Sequence, residues 1–261
     1  MTDQSSETTI LLTSHGRPRA LDRFLCSYKK WAPDYHLIVA DNSSRPPTDV
    51  CERHGVNLLK HRGNGGLGQL RNFLADRCET KYAVTIEDDL YFNRNTKLSV
   101  LIHSLEELNL DVSSGNVRNV DRQSAYFFGC LRLRGNKLVK IDRYIERLSI
   151  ITGEEFYVAN LTNTFVAARS KFLRRHRWFE LPQVTGDICW YYKLWRAGTR
   201  VAFTPDVCIL HSHDLDDDWY RNERYDRKKN RNANMAAWKA VCLRHGRIKT
   251  NAAFPKKRMI K

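Results

Sequence analysis

No stretch of this 261-residue chain approaches the roughly 20 consecutive apolar residues that a membrane-spanning helix needs. The opening from Met1 to Glu7 also lacks the basic-then-apolar pattern of a secretory signal. The expectation is therefore a cytoplasmic protein, or a catalytic domain separated from its anchor. Seven cysteines (Cys26, Cys51, Cys78, Cys130, Cys189, Cys208 and Cys242) are scattered mostly among apolar neighbours with no Cys-x-x-Cys pair, which argues against a zinc ribbon or a disulfide scaffold and for buried, reduced thiols. There is no internal repeat, and low complexity is confined to the basic C-terminal end. The glycine-rich run at 63–68 lacks the Lys-Ser/Thr of a P-loop and the spacing of a dinucleotide fingerprint.

Charge is abundant but one-sided in its placement. The chain carries +15, and residues 221–261 hold 14 Lys and Arg against two acids, Glu223 and Asp226. That leaves +12 in the last segment and about +3 on everything before it. The segment's basic residues interleave with Met235, Trp238, Val241 and Leu243, a pattern compatible with a basic amphipathic helix near 233–244. Such a segment attracts anionic lipid headgroups, acidic glycans or nucleic acid, and it is equally compatible with one helix face packed on the body of the protein.

With 42% apolar residues the rest can bury one sizeable core, as a single large α/β domain or as two small lobes. Apolar runs at 9–13, 37–40, 56–60 and 82–86 read as strands, and Leu21, Phe24, Leu25 and Tyr28 recur at helical spacing between the first two. Leu70, Phe73 and Leu74 mark a second helix after the glycine-rich turn, and Leu98, Leu101, Ile102, Leu105 and Leu108 another. Strand, helix, strand alternation predicts a mostly parallel sheet with helices on both faces. The first ninety residues thus read as a nucleotide-binding type of half-sheet. From 111 to 160 the pattern weakens, with strands expected near 125–128 and 138–141 and a polar, mobile stretch around 143–155. Further on come a basic helical segment after Ala168, a helix opened by Asp187 and closed at Gly198, and a last strand at 207–210.

The 82–86 strand ends in three consecutive acids, Glu87, Asp88 and Asp89. Open α/β sheets bind ligands at the carboxyl ends of their strands, and adjacent carboxylates there suit a divalent cation together with a phosphate. A solvated strand end with turn-forming acids is the plain alternative.

Seven short motifs set these acids in a wider pattern: Ile38 to Ser44 (IVADNSS), Asn64 to Asn72 (NGGLGQLRN), Ile86 to Leu90 (IEDDL), Ser114 to Arg118 (SGNVR), Asn163 to Ala167 (NTFVA), Thr185 to Asp187 with Arg196 to Gly198, and Asp206 to His211 (DVCILH). In order and spacing, over roughly residues 37–213, they resemble the GT-A glycosyltransferases, in particular inverting family-2-like enzymes and the ganglioside-type β1,4-N-acetylgalactosaminyltransferases. The resemblance implies a GT-A domain over residues 1–220, with a nucleotide-binding half at 1–110 and an acceptor half at 111–220, followed by a basic extension at 221–261.

It also implies roles. A nucleotide-sugar needs its departing diphosphate neutralised, which a cation held by a carboxylate and an imidazole does as a Lewis acid. Asp89 and His211 correspond to the metal ligands, with His213 as the alternative to His211, and oxygen-rich ligation with one imidazole suits Mn2+ or Mg2+ better than zinc. Glu87, standing where the family commonly has Asp, and Asp88 correspond to ribose and phosphate-side contacts. Asp41 matches the family's uracil partner, although Asp41 to Ser44 also reads as an ordinary Asx turn. Thr13 would lie beside it, Arg17 near the diphosphate and Arg71 on the donor. Asp187 matches the general base that takes the acceptor hydroxyl's proton; Gly186 leaves it alone where the family usually shows a pair of acids.

The function implied is transfer of a sugar, an N-acetylhexosamine by resemblance, from a UDP-sugar donor to a glycan or glycolipid acceptor. The basic extension would meet an anionic membrane surface. A DNA-base glycosyltransferase of the same fold and a non-catalytic sugar- or nucleic-acid-binding protein are the competing readings.

Overall fold

The computed structural model describes residues 4–62, 66–120, 129–134, 137–141, 146–151, 153–180, 187–212, 214 and 220. The expectations for 125–128, for His213, for residues 63–65 and 181–186, and for the 221–261 extension lie outside the described residues.

The elements in chain order are β1 (Thr8–Ser14), α1 (Pro18–Trp31), β2 (His36–Asp41), α2 (Thr48–His54), β3 (Leu58–Lys60), α3 (Gly66–Arg77), β4 (Tyr82–Glu87), β5 (Leu90–Tyr91) and α4 (Leu98–Glu107). Then follow β6 (Val112–Asn119), β7 (Cys130–Arg134), β8 (Lys137–Ile141), β9 (Glu146–Ile151), β10 (Glu154–Val158), β11 (Val166–Arg169), α5 (Ser170–Arg175), α6 (Asp187–Arg196) and β12 (Val201–His211). Nine strands run in the order β3-β2-β1-β4-β11-β6-β12-β10-β9, with β5 added against β12, and β7 and β8 form a separate hairpin. The β3-β2-β1-β4 block is parallel, as the strand and helix alternation predicts. β11 enters antiparallel between β4 and β6, and β6 and β12 are parallel again. One sheet therefore runs through both halves of the chain.

Period-2 alternation sorts the sheet's side chains into two cores. Ile10, Leu12, Val39, Val84 and Ile86 face α1, α2 and α4, burying Leu21, Phe24, Leu25, Val50, Leu101 and Leu105. Leu11, Ala40, Ala83 and Val112 face the other way, onto Leu70 and Leu74 of α3, Leu173 of α5 and Trp190, Tyr191 and Leu194 of α6. Helices cover both faces as expected, which leaves the carboxyl ends of the strands to carry the site.

Four elements depart from the sequence reading. The stretch expected to be mobile holds β9 and β10, an antiparallel pair turned at Gly153, whose φ of +89° suits glycine. Ile151 and Phe156 point inward from it, an apolar signal thinned by the polar residues between them. β6 was hidden because its buried positions include Ser113 and Ser114, polar groups satisfied by hydrogen bonds from Ser104 and to Phe165. β12 starts at Val201 rather than 207 and carries an irregularity: Phe203 pairs with Ser114 and Cys208 with Asn116, so five steps along β12 match two along β6. Pro205, which has no N–H to give to a ladder, sits inside that bulge.

Gly68 is required by packing. A Cβ there would lie 2.1 Å from the Phe179 carbonyl oxygen, so α3 can approach the 178–180 segment only with glycine at that position.

Candidate functional site

Parallel register brings the ends of β1, β2 and β4 level. Thr13 stands beside Ala40 and Glu87, Ser14 beside Asp41, and the Asp88 amide continues the ladder by donating to the Thr13 carbonyl at 3.1 Å. The acids leaving β4 thus meet the β1–α1 loop directly.

Arg17, the residue before α1, is the centre of that meeting. One guanidinium nitrogen donates to Asp89 Oδ2 at 2.8 Å and the other to Asp88 Oδ1, with all three side chains buried. Its Cζ lies 4.5 Å from the centroid of the buried Tyr220 ring, a cation–π contact. Burial alone would lower the Arg17 pKa, but the facing charges of Asp88 and Asp89 raise it well above its ordinary value. Ser14 Oγ donates to Asp88 Oδ2 at 2.8 Å. From the far side of the sheet β12 delivers His211, whose Nε2 is 3.4 Å from the Asp89 Oδ2 that Arg17 also contacts, while its Nδ1 bonds Asn119 at the end of β6.

The two neighbouring acids are pushed apart. Burial raises Asp88, with Arg17 opposing and Asp89 adding to the rise; burial acts upward on Asp89 as well, but Arg17 and His211 together hold it well below the carboxylate range. Asp89 is therefore the firm anion of the pair.

Glu87 points to the opposite side. Arg71, 3% exposed on α3, donates to Glu87 Oε1 at 2.7 Å and to Asp187 Oδ1 at 2.5 Å, bridging the end of β4 to the first turn of α6. The non-helical 178–180 segment is fixed by Asn72, whose side chain bonds both the N–H and the carbonyl of Trp178 and reaches Glu180 Oε1 at 2.8 Å. The strand ends thus carry two arginine-centred clusters: Arg17 with Asp88, Asp89 and His211, and Arg71 with Glu87 and Asp187.

Asp41 is 1% exposed and organises loops: Oδ2 accepts from the Gly16 amide at 2.8 Å, and Oδ1 from the amide and hydroxyl of Ser43. The Asx turn weighed against a ligand role is present, and it is tied to the β1–α1 loop. Thr13 is a buried strut whose hydroxyl donates to the Ile86 carbonyl at 3.3 Å.

The chemistry of the donor set fits a hard divalent cation. Asp89 and His211 converge with one oxygen and one nitrogen 3.4 Å apart, Asp88 lies alongside, and the buried guanidinium between the carboxylates marks a seat built for positive charge. A second group, Asp22, Cys26 and His54, brings ligand atoms within 4.8 Å of one another between α1 and α2, away from the strand ends. There His54 Nε2 already bonds Asp22 Oδ1 at 2.9 Å, and Arg53 stands 3.5 Å from the same oxygen.

Sequence reasoning singled out every acid and arginine of the two clusters but missed Ser14, Asn72, Asn119 and Tyr220. Asn72 closes the 64–72 motif and Asn119 directly follows the 114–118 motif, so motif edges carried that signal. Tyr220 had none.

The family described as Glycosyl transferase family 2 matches residues 9–193. Mouse β-1,4 N-acetylgalactosaminyltransferase 2 is 30% identical over 142 residues, 52% of this chain and 28% of that protein. Mouse β-1,4 N-acetylgalactosaminyltransferase 1 is 28% identical over 116 residues, 44% of this chain and 21% of that one. The chain thus spans under a third of the length of these relatives. Among solved structures, Staphylococcus aureus TarS 1–349 in complex with UDP-GlcNAc superposes with a TM-score of 0.59 at 14% identity, covering 81% of this chain and 60% of that one. The same fragment in complex with UDP gives 0.58 at 16% identity, covering 79% and 60%. At such identities the likeness is one of fold, and the fold is GT-A.

Proposed function

The chain belongs to glycosyltransferase family 2, and from that membership we propose that it is an inverting transferase moving an N-acetylhexosamine from a UDP-sugar to a hydroxyl of a glycan or glycolipid acceptor. The observation that carries this reading is the bridge from Glu87 through Arg71 to Asp187, which links the acid that opens α6 to the acid that ends β4. An inverting transfer needs that layout: charge control under the leaving group on one side and a proton acceptor on the other.

In this reading the Asp41 turn and Thr13 shape the floor on which the uracil lies, and Glu87 and Asp88 face the ribose and the phosphates. Arg17 and Arg71 supply positive charge to the donor. Asp187 takes the proton from the acceptor hydroxyl as that oxygen attacks the anomeric carbon. Asp89 and His211 would hold Mn2+ or Mg2+, which when bound supplies Lewis-acid stabilisation of the departing diphosphate. Residues 1–220 form the transferase unit in this proposal, and 221–261 a basic extension that holds the protein against an anionic membrane surface. No helix among the described residues is long and apolar enough to cross a membrane, which is compatible with peripheral attachment.

The UDP and UDP-GlcNAc complexes of the structural neighbour and the N-acetylgalactosaminyl names of the relatives support the donor class. Hydrolysis of a panel of UDP-sugars, with and without Mn2+, tests the reading. Turnover of a UDP-N-acetylhexosamine is expected; no turnover of any UDP-sugar under either condition would overturn it, and salt-sensitive binding to duplex DNA would favour the nucleic-acid reading instead.

A further inference from the structure

Asp89 Oδ2 is claimed twice. Arg17 donates to it at 2.8 Å, and His211 Nε2 stands 3.4 Å from it. A cation held by Asp89 and His211 would lie at the carboxylate that Arg17 already contacts, so it and the guanidinium would crowd one largely buried group. Coulomb repulsion between a dication and a guanidinium at ~4 Å is severe wherever water is scarce, so the two cannot share the seat. Arg17 is also held strongly, by a bond to each of two buried carboxylates and by the cation–π contact with the Tyr220 ring. If displaced, it would be an uncompensated buried charge unless another anion received it.

We infer that Arg17 is a built-in counter-ion that occupies the cation seat at Asp88 and Asp89, so that a divalent cation enters only when an anionic phosphate group of the nucleotide takes the guanidinium over. The inference rests on the donor-site reading above and deepens it. Each ligand then removes the obstacle to the other: the phosphate draws Arg17 off the carboxylates, and the cation keeps it off. Linkage makes this coupling reciprocal. The free protein binds the cation weakly, and Arg17 neutralises the acids in its place.

Mn2+ titrations followed by electron paramagnetic resonance, with and without UDP, on wild type, Arg17→Gln and Arg17→Lys test the idea without requiring turnover. Without UDP, Arg17→Gln is expected to bind Mn2+ at least tenfold more tightly than wild type. Arg17→Lys, which keeps the charge but cannot bridge two carboxylates, should fall between them. If Arg17→Gln is folded by circular dichroism and binds Mn2+ no more tightly than wild type, the inference fails; if it does not fold, the same criterion passes to Arg17→Lys. A wild-type protein that binds no UDP, combined with tighter Mn2+ binding by the variants, would uphold Arg17 as counter-ion and overturn the donor-site reading.

Discussion

Asp187 is tied to the strand-end acids through Arg71, whose guanidinium donates to Asp187 at 2.5 Å with one nitrogen and to Glu87 at 2.7 Å with the other. The bridge joins α3, β4 and α6. It therefore sets the separation between the two sides of the cleft, whatever each side does chemically.

Removing it should first be felt as stability. Arg71→Met leaves Glu87 and Asp187, 15% and 16% exposed, facing each other without a cation. Breaking a buried pair in this way costs ~3 kcal/mol or more. Urea denaturation at neutral pH is expected to show that loss, whereas a midpoint within measurement error of wild type would mean that solvent already carries the two carboxylates.

The base assignment separates binding from chemistry. Asp187→Asn retains size and can still accept a hydrogen bond from Arg71, but it cannot take up a proton at neutral pH. Transfer should fall by roughly a hundredfold or more while UDP-sugar affinity holds. A fully active variant would return Asp187 to the role of a helix-opening acid that anchors Arg71, and a product of retained anomeric configuration would reject single displacement.

On the cation side, Asp89→Ala should abolish the Mn2+-dependent part of UDP affinity in calorimetry, and His211→Ala should reduce it more mildly, since Asp89 is the firmer anion of its cluster. Unchanged UDP affinity in Asp89→Ala would remove it from the ligand set.

Gly68→Ala tests packing against phosphate binding as the reason for glycine. The new methyl meets the Phe179 carbonyl at 2.1 Å and must push the 178–180 segment away from Asn72. Overpacking of this kind costs ~1–3 kcal/mol. A melting temperature equal to wild type would show that the segment moves aside freely.

For the basic extension, a chain ending after Ala252 lacks Lys256, Lys257, Arg258 and Lys261. Near an anionic surface each such residue contributes on the order of 1 kcal/mol, so sedimentation with phosphatidylserine vesicles should weaken while donor hydrolysis is spared. Equal sedimentation would dissociate the extension from the membrane.

Much of this architecture was legible because period and placement agreed. β1 and β4 are buried almost throughout and β2 over its second half, so they read as apolar runs, and their carboxyl ends had to carry whatever the site needed. The acids and arginines could be named through the family resemblance and the place of Glu87, Asp88 and Asp89 at the end of an apolar run. Their pairing could not: that Arg17 meets Asp88 and Asp89, while Arg71 meets Glu87 and Asp187, depends on the alternation of β4 and on which face α3 covers. β6 escaped for a related reason, since Ser113 and Ser114 are buried at 0% exposure yet satisfied by hydroxyl bonds, and a hydrophobicity pattern has no means of marking them. β9 and β10 escaped because a hairpin at the sheet margin needs only a few inward apolar residues.

The bulge in β12 decides which way His211 looks. Before it, odd-numbered residues such as Val201 face α3 and α6; beyond it, Val207 and Ile209, also odd, face α1 and α4. Three extra residues invert the strand's parity, and His211 inherits the inverted sense that puts it on the side of Asn119 and Asp89. The strand therefore behaves as a counter that records length modulo two. Losing one residue between Phe203 and Val207 would rotate the imidazole to the wrong side of the sheet while leaving every residue of both clusters in the sequence, whereas losing two would keep it facing Asp89. Among descendants of this gene, changes of even length in that loop should survive where odd ones do not.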